Sequence, residues 1–357
     1  MKTLFPLFVF LFFICQNIFS QQLDKNKEYH ASVIAFYNLE NLFDTITDPD
    51  STKILQDEFT PNGNKKWNSE KYFKKLENLS EVISQLGTEF NPDGPAILGV
   101  SEIENRSVLE DLVKTEKLKS KNYQIVHYEG PDKRGIDVAL FYNPNYFKVT
   151  SSASLTLKLP DDSSFFTRDQ LLVSGELQGE PIHLMVAHWP SRRGGQKASD
   201  HKRIAAAQLG RKIVDSLLTA DPNAKILYMG DLNDDPTNNS VKKNLLATGK
   251  KSETSQQPAA SNQKLFNPMW NLYQKGIGTL AWRDVWNLFD QIVLSPALIE
   301  EDFTDYSYYG AKVFNKEFLK QSEGNYAGYP YRSFVGSNWI GGYSDHFPVY
   351  VVLIREK

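Results

Sequence analysis

The chain has 357 residues, of which 41% are hydrophobic, 23% charged and 13% aromatic, and its formal net charge is −3. This composition excludes a disordered chain, a collagen-like fibre and a short disulfide scaffold, and the length is ample for a sizeable core in one or two domains. The near-neutral balance does not point to nucleic acid or membrane binding, but it does not exclude a nuclease with a local basic patch.

The N-terminus has the pattern of a secretory signal peptide. Lys2 precedes an apolar run at residues 4–14, and Ser20 offers a small residue before two glutamines. The run is too short to favour a membrane-spanning helix, which needs about 20 apolar residues. We therefore expect residues 1–20 to be removed and residues 21–28 to form a polar leader. The mature protein should be secreted or periplasmic, without stable membrane insertion.

The only cysteine, Cys15, lies inside this segment. The mature chain is therefore predicted to contain no thiol and no disulfide, which excludes cysteine nucleophiles, cysteine-ligated zinc and thiol redox chemistry. A lipid anchor on Cys15 is an alternative, which the bulky Ile14 before it disfavours.

Helical patterns are few. Residues 69–86 place apolar side chains, Phe73 among them, at three- and four-residue spacing before Gly87, and shorter apolar faces occur at 105–117 and 201–218. Apolar runs typical of strands lie between them, at 33–37, 96–100, 138–142, 182–187, 226–229 and 349–353. Such runs favour sheets buried on both faces, and their mixture with helices favours an α/β layered domain.

Polar residues recur where the predicted strands end. Acidic, amide and imidazole side chains follow the apolar runs or, in the last case, precede one: Asn38 and Glu40, Glu102, His188, Asp231 and Asn233, Asp290, and Asp345 with His346. Loops at sheet ends are where sites are built on a rigid scaffold. Carboxylates and amides without thiols suit a hard divalent cation such as Mg²⁺. With Arg134, Arg192 and Arg193 as candidate phosphate-binding side chains, the set predicts phosphoryl chemistry.

Two longer motifs carry a family resemblance. The stretch FYNLENLFD at 36–44 and the stretch HWPSRRGG at 188–195 occur in order with the other polar strand ends. The chain resembles the endonuclease/exonuclease/phosphatase superfamily, in particular its deoxyribonuclease-like, secreted bacterial branch. The resemblance implies an α/β fold, a four-layer sandwich of two mixed β-sheets flanked by helices, in a single catalytic domain over residues 29–357.

The resemblance also implies roles for the site residues. The metal ligands would be Glu40, Glu102 and Asp345, with Mg²⁺ as the cofactor and Mn²⁺ or Ca²⁺ as alternatives. Asn38 and Arg134 would contact the substrate, and Arg192 is a further candidate for substrate binding.

The resemblance assigns the catalytic steps to five residues. His188 would assist the leaving group, Asp231 would activate or align the attacking water, and Asn233 would hold a phosphate oxygen. Asp290 would orient His346 or the second metal position. His346 would contact the scissile phosphate and act with Asp290 as a base.

The predicted function is hydrolysis of phosphodiesters by a secreted, divalent-metal-dependent enzyme. The favoured substrate is DNA or RNA. Because the motif residues bind the phosphate common to all phosphate esters, a phosphatase or phospholipase-type hydrolase is an alternative, with a phosphomonoester, phosphoinositide or sphingomyelin as substrate. A non-catalytic extracellular binding module is an alternative from another class, which the intact acidic and imidazole set disfavours. No protein partner is predicted, and we expect a monomer.

Several of these residues also fit ordinary structural roles. Residues 230–234 have the composition of a turn, and Glu102 fits the start of a helix. His188 fits a core histidine, and Arg192 fits a solvated surface charge. Three tryptophans are expected to pack rather than to stack on bases, namely Trp189, Trp282 and Trp286.

Overall fold

The secondary structure is mostly extended, and the computed structural model describes it for residues 23–24, 26–55, 57–254 and 263–357. The predicted signal peptide at 1–20, with Cys15, lies outside the described residues. In chain order the strands are β1 (Tyr29–Leu42), β2 (Ile97–Ile103), β3 (Gln124–His127), β4 (Asp137–Tyr142), β5 (Phe147–Leu155), β6 (Gln170–Leu177), β7 (Glu180–His188), β8 (Ile226–Asp231), β9 (Ala247–Thr248), β10 (Leu265–Phe266), β11 (Leu280–Trp282), β12 (Val285–Asn287), β13 (Asp290–Leu294), β14 (Ser307–Val313), β15 (Phe334–Val335), β16 (Asn338–Trp339) and β17 (Val349–Glu356).

Helices are fewer than strands in the described residues. The α-helices are α1 (Ser69–Ile83), α2 (Arg106–Val113), α3 (Gln196–Ala220) and α4 (Met269–Gln274). Single turns of 3₁₀ helix occur at Lys119–Lys121, Lys251–Glu253, Pro296–Leu298, Glu317–Leu319 and Gly324–Tyr326, and a π-helical turn occurs at Ser240–Asn244. None of the helices in the described part of the chain has the length and apolar character needed to cross a membrane.

The strands form two large mixed sheets. The first sheet has the order β14-β17-β1-β2-β4-β3, and the second has the order β5-β6-β7-β8-β13-β10-β9. The parallel pairs are β1 with β2, β7 with β8 and β9 with β10. Two separate hairpins, β11–β12 and β15–β16, lie outside the large sheets.

The two sheets pack face to face and the helices cover their outer faces. The central strands β1, β2 and β4 contact β7, β8 and β13 across the interface. Helix α3 covers the second sheet, because its buried Ala207 and Val214 share a core with Met185 of β7 and Tyr228 of β8. Helices α1 and α2 contact each other and bury apolar side chains in the larger core, which includes β1 and β2. This arrangement confirms the predicted α/β four-layer sandwich.

The helices differ from the sequence prediction at their ends and in one face. Helix α1 begins after Asn68, whose side chain caps it by accepting the N–H of Lys71. Its buried stripe includes Tyr72, Leu76 and Leu79, so Phe73 is rotated out of the core and is 57% exposed. The prediction that Phe73 lies on the apolar face was therefore wrong, since one helical position turns a side chain by about 100°.

Helix α3 is longer at its start than the predicted span of 201–218. It begins directly after Gly194 and Gly195, which have φ angles of 82° and 111°. Its first turn, starting at Gln196, is polar and mostly exposed, so hydrophobic periodicity gave no signal there.

Irregular backbone marks the ends of β1 and β2, where predicted site residues lie. The pairing of β1 with β2 shifts register after Asn38, and the pairing of β2 with β4 shifts after Ser101. At these positions Glu40, Asn41 and Glu102 have φ angles of 50°, 49° and 60°. A non-glycine residue in this left-handed region costs about 1–2 kcal/mol and persists only where its surroundings hold it. Such bulges re-aim side chains at strand ends.

Candidate active site

Three predicted site residues form one row at the end of the second sheet. His188 of β7 is the register partner of Asp231 of β8, and Asp231 is the register partner of Asp290 of β13. Register partners on adjacent strands present their side chains on the same face of a sheet. All three residues are buried. The sheet itself therefore brings together polar residues that are far apart in the sequence.

Asn38 connects this row to the first sheet. Its Nδ2 donates a hydrogen bond of 3.0 Å to Asp231 Oδ2, and its Oδ1 accepts the N–H of Glu40 at 2.9 Å. The hydroxyl of Ser344 donates to the Asn38 carbonyl at 2.7 Å and accepts the N–H of His346 at 3.1 Å. Asn38 thus fixes the ends of both sheets and the loop that carries His346.

Asp231 lies at the centre of the site. Its Oδ2 atom is 3.5 Å from Nε2 of His188 and 3.9 Å from Nε2 of His346, and its Oδ1 accepts the N–H of Asn233 at 2.9 Å. Burial raises the pKa of Asp231 to about 6; the charge of His346 opposes this shift and that of Asp290 adds to it. A carboxylate with such a pKa is suited to accept a proton near neutral pH.

His346 lies in an anionic environment. Its Nδ1 is 2.7 Å from Oδ2 of Asp290, which is completely buried. Burial disfavours the imidazolium, but Asp290, with smaller contributions from Asp231 and Asp345, outweighs it and raises the pKa of His346 well above its usual range. These surroundings favour the imidazolium form of His346.

His188 is buried, beside two carboxylates and within the influence of two arginines. Its Nε2 is 3.9 Å from Glu102 Oε1, and its buried Nδ1 has no hydrogen-bond partner in the described residues. Burial, followed by the charges of Arg168 and Arg134, holds the pKa of His188 well below its usual range. These surroundings favour the neutral form of the His188 imidazole.

Glu102 stands between the two sheets at the open side of the site. Its Oε2 accepts the N–H of Asn41 at 3.0 Å, and its Oε1 is 3.9 Å from Nη1 of Arg134. The Arg134 guanidinium also lies 3.6 Å from Asp132, while its Nη2 has no partner in the described part of the chain. Arg134 therefore retains a donor beside Glu102 and His188.

Glu40 and Asp345 lie at the opposite edge, around a buried lysine. Oε2 of Glu40 accepts the N–H of Ser333 at 2.7 Å and lies 3.8 Å from Nζ of Lys75. Burial raises the pKa of Glu40 to about 7, against the charge of Lys75 and together with that of Asp345. Burial also lowers the pKa of Lys75, whereas Glu40, Asp345 and Glu102 counteract this shift. The negative charges of all three predicted metal ligands thus stabilise the same ammonium group, that of Lys75.

Two predicted residues lie at the loop after β8. Asn233 has a φ angle of 50° and donates its Nδ2 to the carbonyl of Trp189 at 2.9 Å. Arg192 binds this loop rather than the cluster around Asp231: its guanidinium donates to the Asn233 carbonyl at 3.0 Å and to the carboxylates of Asp234 and Asp235 at 3.1 Å. A direct contact of Arg192 with substrate stays a prediction.

Sequence reasoning missed two buried cations. Lys75 occupies the buried face of α1, and a charge on the apolar stripe of an amphipathic helix is the signal that could have identified it. Arg168 is 5% exposed and donates to Asp132 at 3.1 Å, but no motif surrounds it. The expected packing role was wrong for Trp282, which is 64% exposed at the tip of the β11–β12 hairpin; Trp189 is buried.

The residues present fit a hard divalent cation. Asp231, Asp290 and His346 each offer a ligand atom within 4.8 Å of one another, whereas the predicted ligands Glu40, Glu102 and Asp345 form no group that close among the described residues. Oδ1 of Asp290 is a buried carboxylate oxygen without a donor among the described residues, and the same is true of Oδ1 of Asn41. Uncompensated buried oxygen atoms are costly unless a proton or a cation satisfies them. Carboxylate and amide oxygens are the ligands that Mg²⁺, Mn²⁺ and Ca²⁺ prefer.

Comparisons with known proteins identify the family of the chain. A family model described as "Endonuclease/Exonuclease/phosphatase family" matches residues 33–355, so the chain belongs to this family. Its enzymes typically depend on a divalent metal, and together the family, the fold and the site define a phosphoester hydrolase. No curated protein sequence matches the chain.

Solved structures share the fold at low sequence identity. An endonuclease/exonuclease/phosphatase family protein from Bacteroides thetaiotaomicron is 18% identical with a TM-score of 0.52, covering 92% of this chain and 96% of its own. A mannosyl-6-phosphatase from the same species is 19% identical with a TM-score of 0.52, covering 90% and 99%. TDP2 from D. rerio, in complex with a single-strand DNA product, is 14% identical with a TM-score of 0.52, covering 90% and 98%.

Proposed function

We propose that the protein is an exported, divalent-metal-dependent phosphodiesterase that cleaves nucleic acid. The observation that carries this proposal is the position of Asp231 between two histidines whose pKa values are shifted in opposite directions, with Nε2 distances of 3.5 Å and 3.9 Å to the same carboxylate oxygen. Hydrolysis of a phosphodiester needs an activated water, stabilisation of charge on the phosphoryl oxygens and help for the leaving oxygen. The site offers a group for each requirement.

The cation would be Mg²⁺, with Mn²⁺ or Ca²⁺ as alternatives, held by Glu40, Glu102 and Asp345. When bound, such an ion neutralises charge that develops on the phosphoryl oxygens. Arg134 lies beside Glu102 with a free donor and would bind a phosphate oxygen from the same side.

Asp231 would accept the proton of the attacking water. Its orientation is fixed because Asn38 donates to Oδ2 and the backbone of Asn233 donates to Oδ1. The imidazolium of His346, held by Asp290, would donate to a non-bridging oxygen of the phosphate. The neutral imidazole of His188 would donate a hydrogen bond to the leaving oxygen from the other side of Asp231.

A substrate panel tests this proposal. The purified mature chain is incubated with supercoiled plasmid, single-stranded DNA, RNA, sphingomyelin, a phosphoinositide and p-nitrophenyl phosphate, with Mg²⁺ or with EDTA. We expect EDTA-sensitive cleavage of at least one nucleic acid. Cleavage of the lipid substrates alone would favour the phospholipase alternative instead. If no substrate of the panel is hydrolysed with Mg²⁺, Mn²⁺ or Ca²⁺, the assignment as an enzyme is overturned.

A second candidate function is a phosphatase acting on phosphomonoesters. It is favoured by one observation, an open cavity that is large enough for a small organic group and is lined by Arg332, the residue before the Ser333 N–H that donates to Glu40. In the same panel, release of phosphate from p-nitrophenyl phosphate without cleavage of any nucleic acid would select this candidate.

We also propose export and a monomeric state. Expression of the full chain with a C-terminal tag, followed by cell fractionation and intact-mass measurement, should find the protein outside the cytoplasm without residues 1–20. Size-exclusion chromatography with light scattering should give the mass of one mature chain. A cytoplasmic full-length product or a stable dimer would contradict the respective part.

A further inference from the structure

An open cavity of 380 Å³ lies next to the segment that contacts Glu40, one of the predicted metal ligands. It lies between the segment 321–330 and the hairpin β15–β16, and its lining includes Arg332. The next residue, Ser333, donates its backbone N–H to Glu40 at 2.7 Å, and the charge of Arg332 acts on the Glu40 carboxyl group. The cavity therefore begins one residue from the site but contains none of the catalytic residues described above.

The walls of this cavity are held from behind by helix α1 and by an aromatic cluster. Nζ of Lys75 donates to the hydroxyl of Ser333 at 2.6 Å, and Nδ2 of Asn78 donates to the carbonyls of Gly341 and Gly342 at 2.9 Å. Both ends of the hairpin segment are thus tied to one helix. The ring of Phe334, at the start of the hairpin, packs on Trp67 and Trp339.

The opposite wall is fixed by its own backbone. The N–H of Gln321 donates to the carbonyl of Tyr329, and the N–H of Gly328 donates to the carbonyl of Gln321, both at 2.8 Å. The ring of Tyr329 packs against Tyr326 with centroids 5.7 Å apart. Because both walls are held by hydrogen bonds and ring contacts, the cavity is formed before any ligand arrives, which lowers the entropic cost of binding.

The lining combines polar side chains with one exposed aromatic ring. Its amide groups belong to Gln321, Asn325 and Asn338, and its charged groups to Glu323 and Arg332. Within the described residues, these five side chains make no hydrogen bond or ion pair with another side chain or with the backbone. Tyr326 lines the same cavity and is 52% exposed. These donors and acceptors are available to a ligand.

The chemistry of this set favours a hydroxylated ring. An amide both donates and accepts, a carboxylate accepts and a guanidinium donates, so together they match hydroxyl groups, which do both. The Tyr326 ring offers an apolar face for the carbon–hydrogen face of a sugar. The carboxylate of Glu323 would disfavour a phosphate group inside the cavity itself but not a neutral sugar ring.

We propose that this cavity binds the sugar ring that carries the scissile phosphate. The proposal rests on the proposed function as a phosphoester hydrolase. It identifies the sugar as the part of the substrate that the protein recognises beside the phosphate. The sugar could belong to a nucleotide or to a phosphorylated monosaccharide, because both carry a sugar ring with at least one free hydroxyl group next to the phosphate ester. Asn338 and Arg332 are the residues that determine specificity, one from each end of the β15–β16 hairpin.

The test compares esters with and without a sugar. The sugar-bearing substrates are thymidine 5′-(p-nitrophenyl phosphate) for the nucleotide source and glucose 6-phosphate for the monosaccharide source. The sugar-free substrates are bis(p-nitrophenyl) phosphate and p-nitrophenyl phosphate. The variants are Asn338→Ala and Arg332→Gln, and the matched control is Ser337→Ala, an exposed neighbour that does not line the cavity.

We expect each cavity variant to lower kcat/KM about 10-fold on the sugar ester that the wild type prefers, because a site built to pair with hydroxyl groups loses that pairing. On the sugar-free esters, Asn338→Ala should stay within about twofold of wild type, as should Ser337→Ala on all substrates. Because the charge of Arg332 also acts on Glu40, Arg332→Gln should lose activity on both kinds of ester, but about fivefold more on the sugar ester. An equal loss on both kinds of ester, or no loss on either, would overturn the proposal.

A binding measurement separates this proposal from the proposed function. Calorimetric titration of the protein in EDTA with thymidine 5′-monophosphate and with glucose 6-phosphate requires no turnover. Binding of either ligand by wild type and Ser337→Ala, weakened about 10-fold in Asn338→Ala, supports the cavity even if no ester is hydrolysed. If the wild type hydrolyses sugar esters but Asn338→Ala binds and turns over equally well, the hydrolase stands and the cavity assignment is wrong. Absence of binding by the wild type also overturns it.

Discussion

The two halves of the active site place histidines of different protonation tendency against the same carboxylate oxygen, a neutral imidazole on one side and an imidazolium on the other. His188 comes from β7 in the second sheet, and burial and the charges of Arg168 and Arg134 lower its pKa. His346 comes from the loop before β17, and its contact with Asp290 raises its pKa despite burial. Both imidazoles approach Oδ2 of Asp231 within 3.9 Å.

This difference shows how one site can hold a protonated imidazole, that of His346, and a neutral imidazole, that of His188, at the same pH. Two titratable groups whose surroundings push their pKa values apart indicate separate roles in acid–base chemistry. Here the cation would serve the phosphoryl oxygens and the neutral ring would serve the leaving oxygen. The carboxylate between them links the two halves, so its removal should have the largest effect.

Asp231→Asn is expected to lower kcat/KM for a phosphodiester about 10³–10⁴-fold, since the variant loses the proton acceptor shared by both halves. The measurement is steady-state hydrolysis of bis(p-nitrophenyl) phosphate with Mg²⁺. Asp161→Asn, an exposed aspartate on a loop, is the matched control and should behave as wild type. A loss of less than about tenfold in Asp231→Asn would exclude its role as the base.

Asp290→Asn should reduce kcat/KM about 10²-fold, because the residue acts on the reaction through His346 rather than directly. The loss of the anion should also lower the pKa of His346, which NMR titration of the imidazole in EDTA can measure. A merely structural role would reduce stability without moving this pKa. An unchanged pKa would therefore contradict the charge assignment for this half of the site.

The two histidines should give opposite pH dependences of stability in EDTA. The raised pKa of His346 contributes stability that is complete below the unfolded value of about 6.5 and is lost as pH rises through the folded value. The lowered pKa of His188 makes the unfolded state bind the extra proton, so wild type loses stability as pH falls below about 6.5. Each unit of difference amounts to about 1.4 kcal/mol.

Thermal unfolding of His346→Gln and His188→Gln from pH 5 to pH 9 measures this contrast. The difference in Tm between wild type and His346→Gln should shrink as pH rises from 6 to 9. The difference between wild type and His188→Gln should shrink as pH falls from 7 to 5. Parallel curves for the two variants would mean that the two environments do not differ in charge.

Ser344→Ala should have the smallest effect of this series. Its hydroxyl connects the carbonyl of Asn38 to the backbone of His346, and the loss of this bridge should cost about 1 kcal/mol of stability and about threefold to tenfold in kcat. Ser163→Ala, on an exposed loop, is the control. If activity remains at the wild-type level while stability falls, the bridge stabilises the loop without positioning His346.

The sequence was sufficient to locate polar residues at strand ends. An apolar run followed by Asp231 or His188 is a local pattern, and a rigid sheet places the ends of such runs together. The pairing of Asp231 with Asn38 joins residues 193 positions apart, and only the packing of the two sheets creates it. The family resemblance, rather than periodicity, supplied the two-sheet architecture.

Features that depend on tertiary packing were beyond the sequence patterns. The place of Lys75 on the apolar stripe of α1 is visible in the sequence, but the carboxylates that act on it, Glu40 and Glu102 among them, are brought there only by packing. Trp282 is expected in the core because it is aromatic, but it lies exposed at the tip of a hairpin. The turn of this hairpin, Arg283 and Asp284, has φ angles of 49° and 64°. Local composition cannot distinguish the two environments, since both are set by what packs against the residue.

The most direct test of the central claim is the metal dependence of phosphodiester hydrolysis in wild type and in Glu102→Gln. The rate of hydrolysis of bis(p-nitrophenyl) phosphate is measured at increasing Mg²⁺ and then after addition of EDTA. The account predicts saturable activation, complete loss in EDTA, and a rate at least about 10²-fold lower in Glu102→Gln. A wild-type rate that EDTA does not affect, or equal rates in the two proteins, would contradict it.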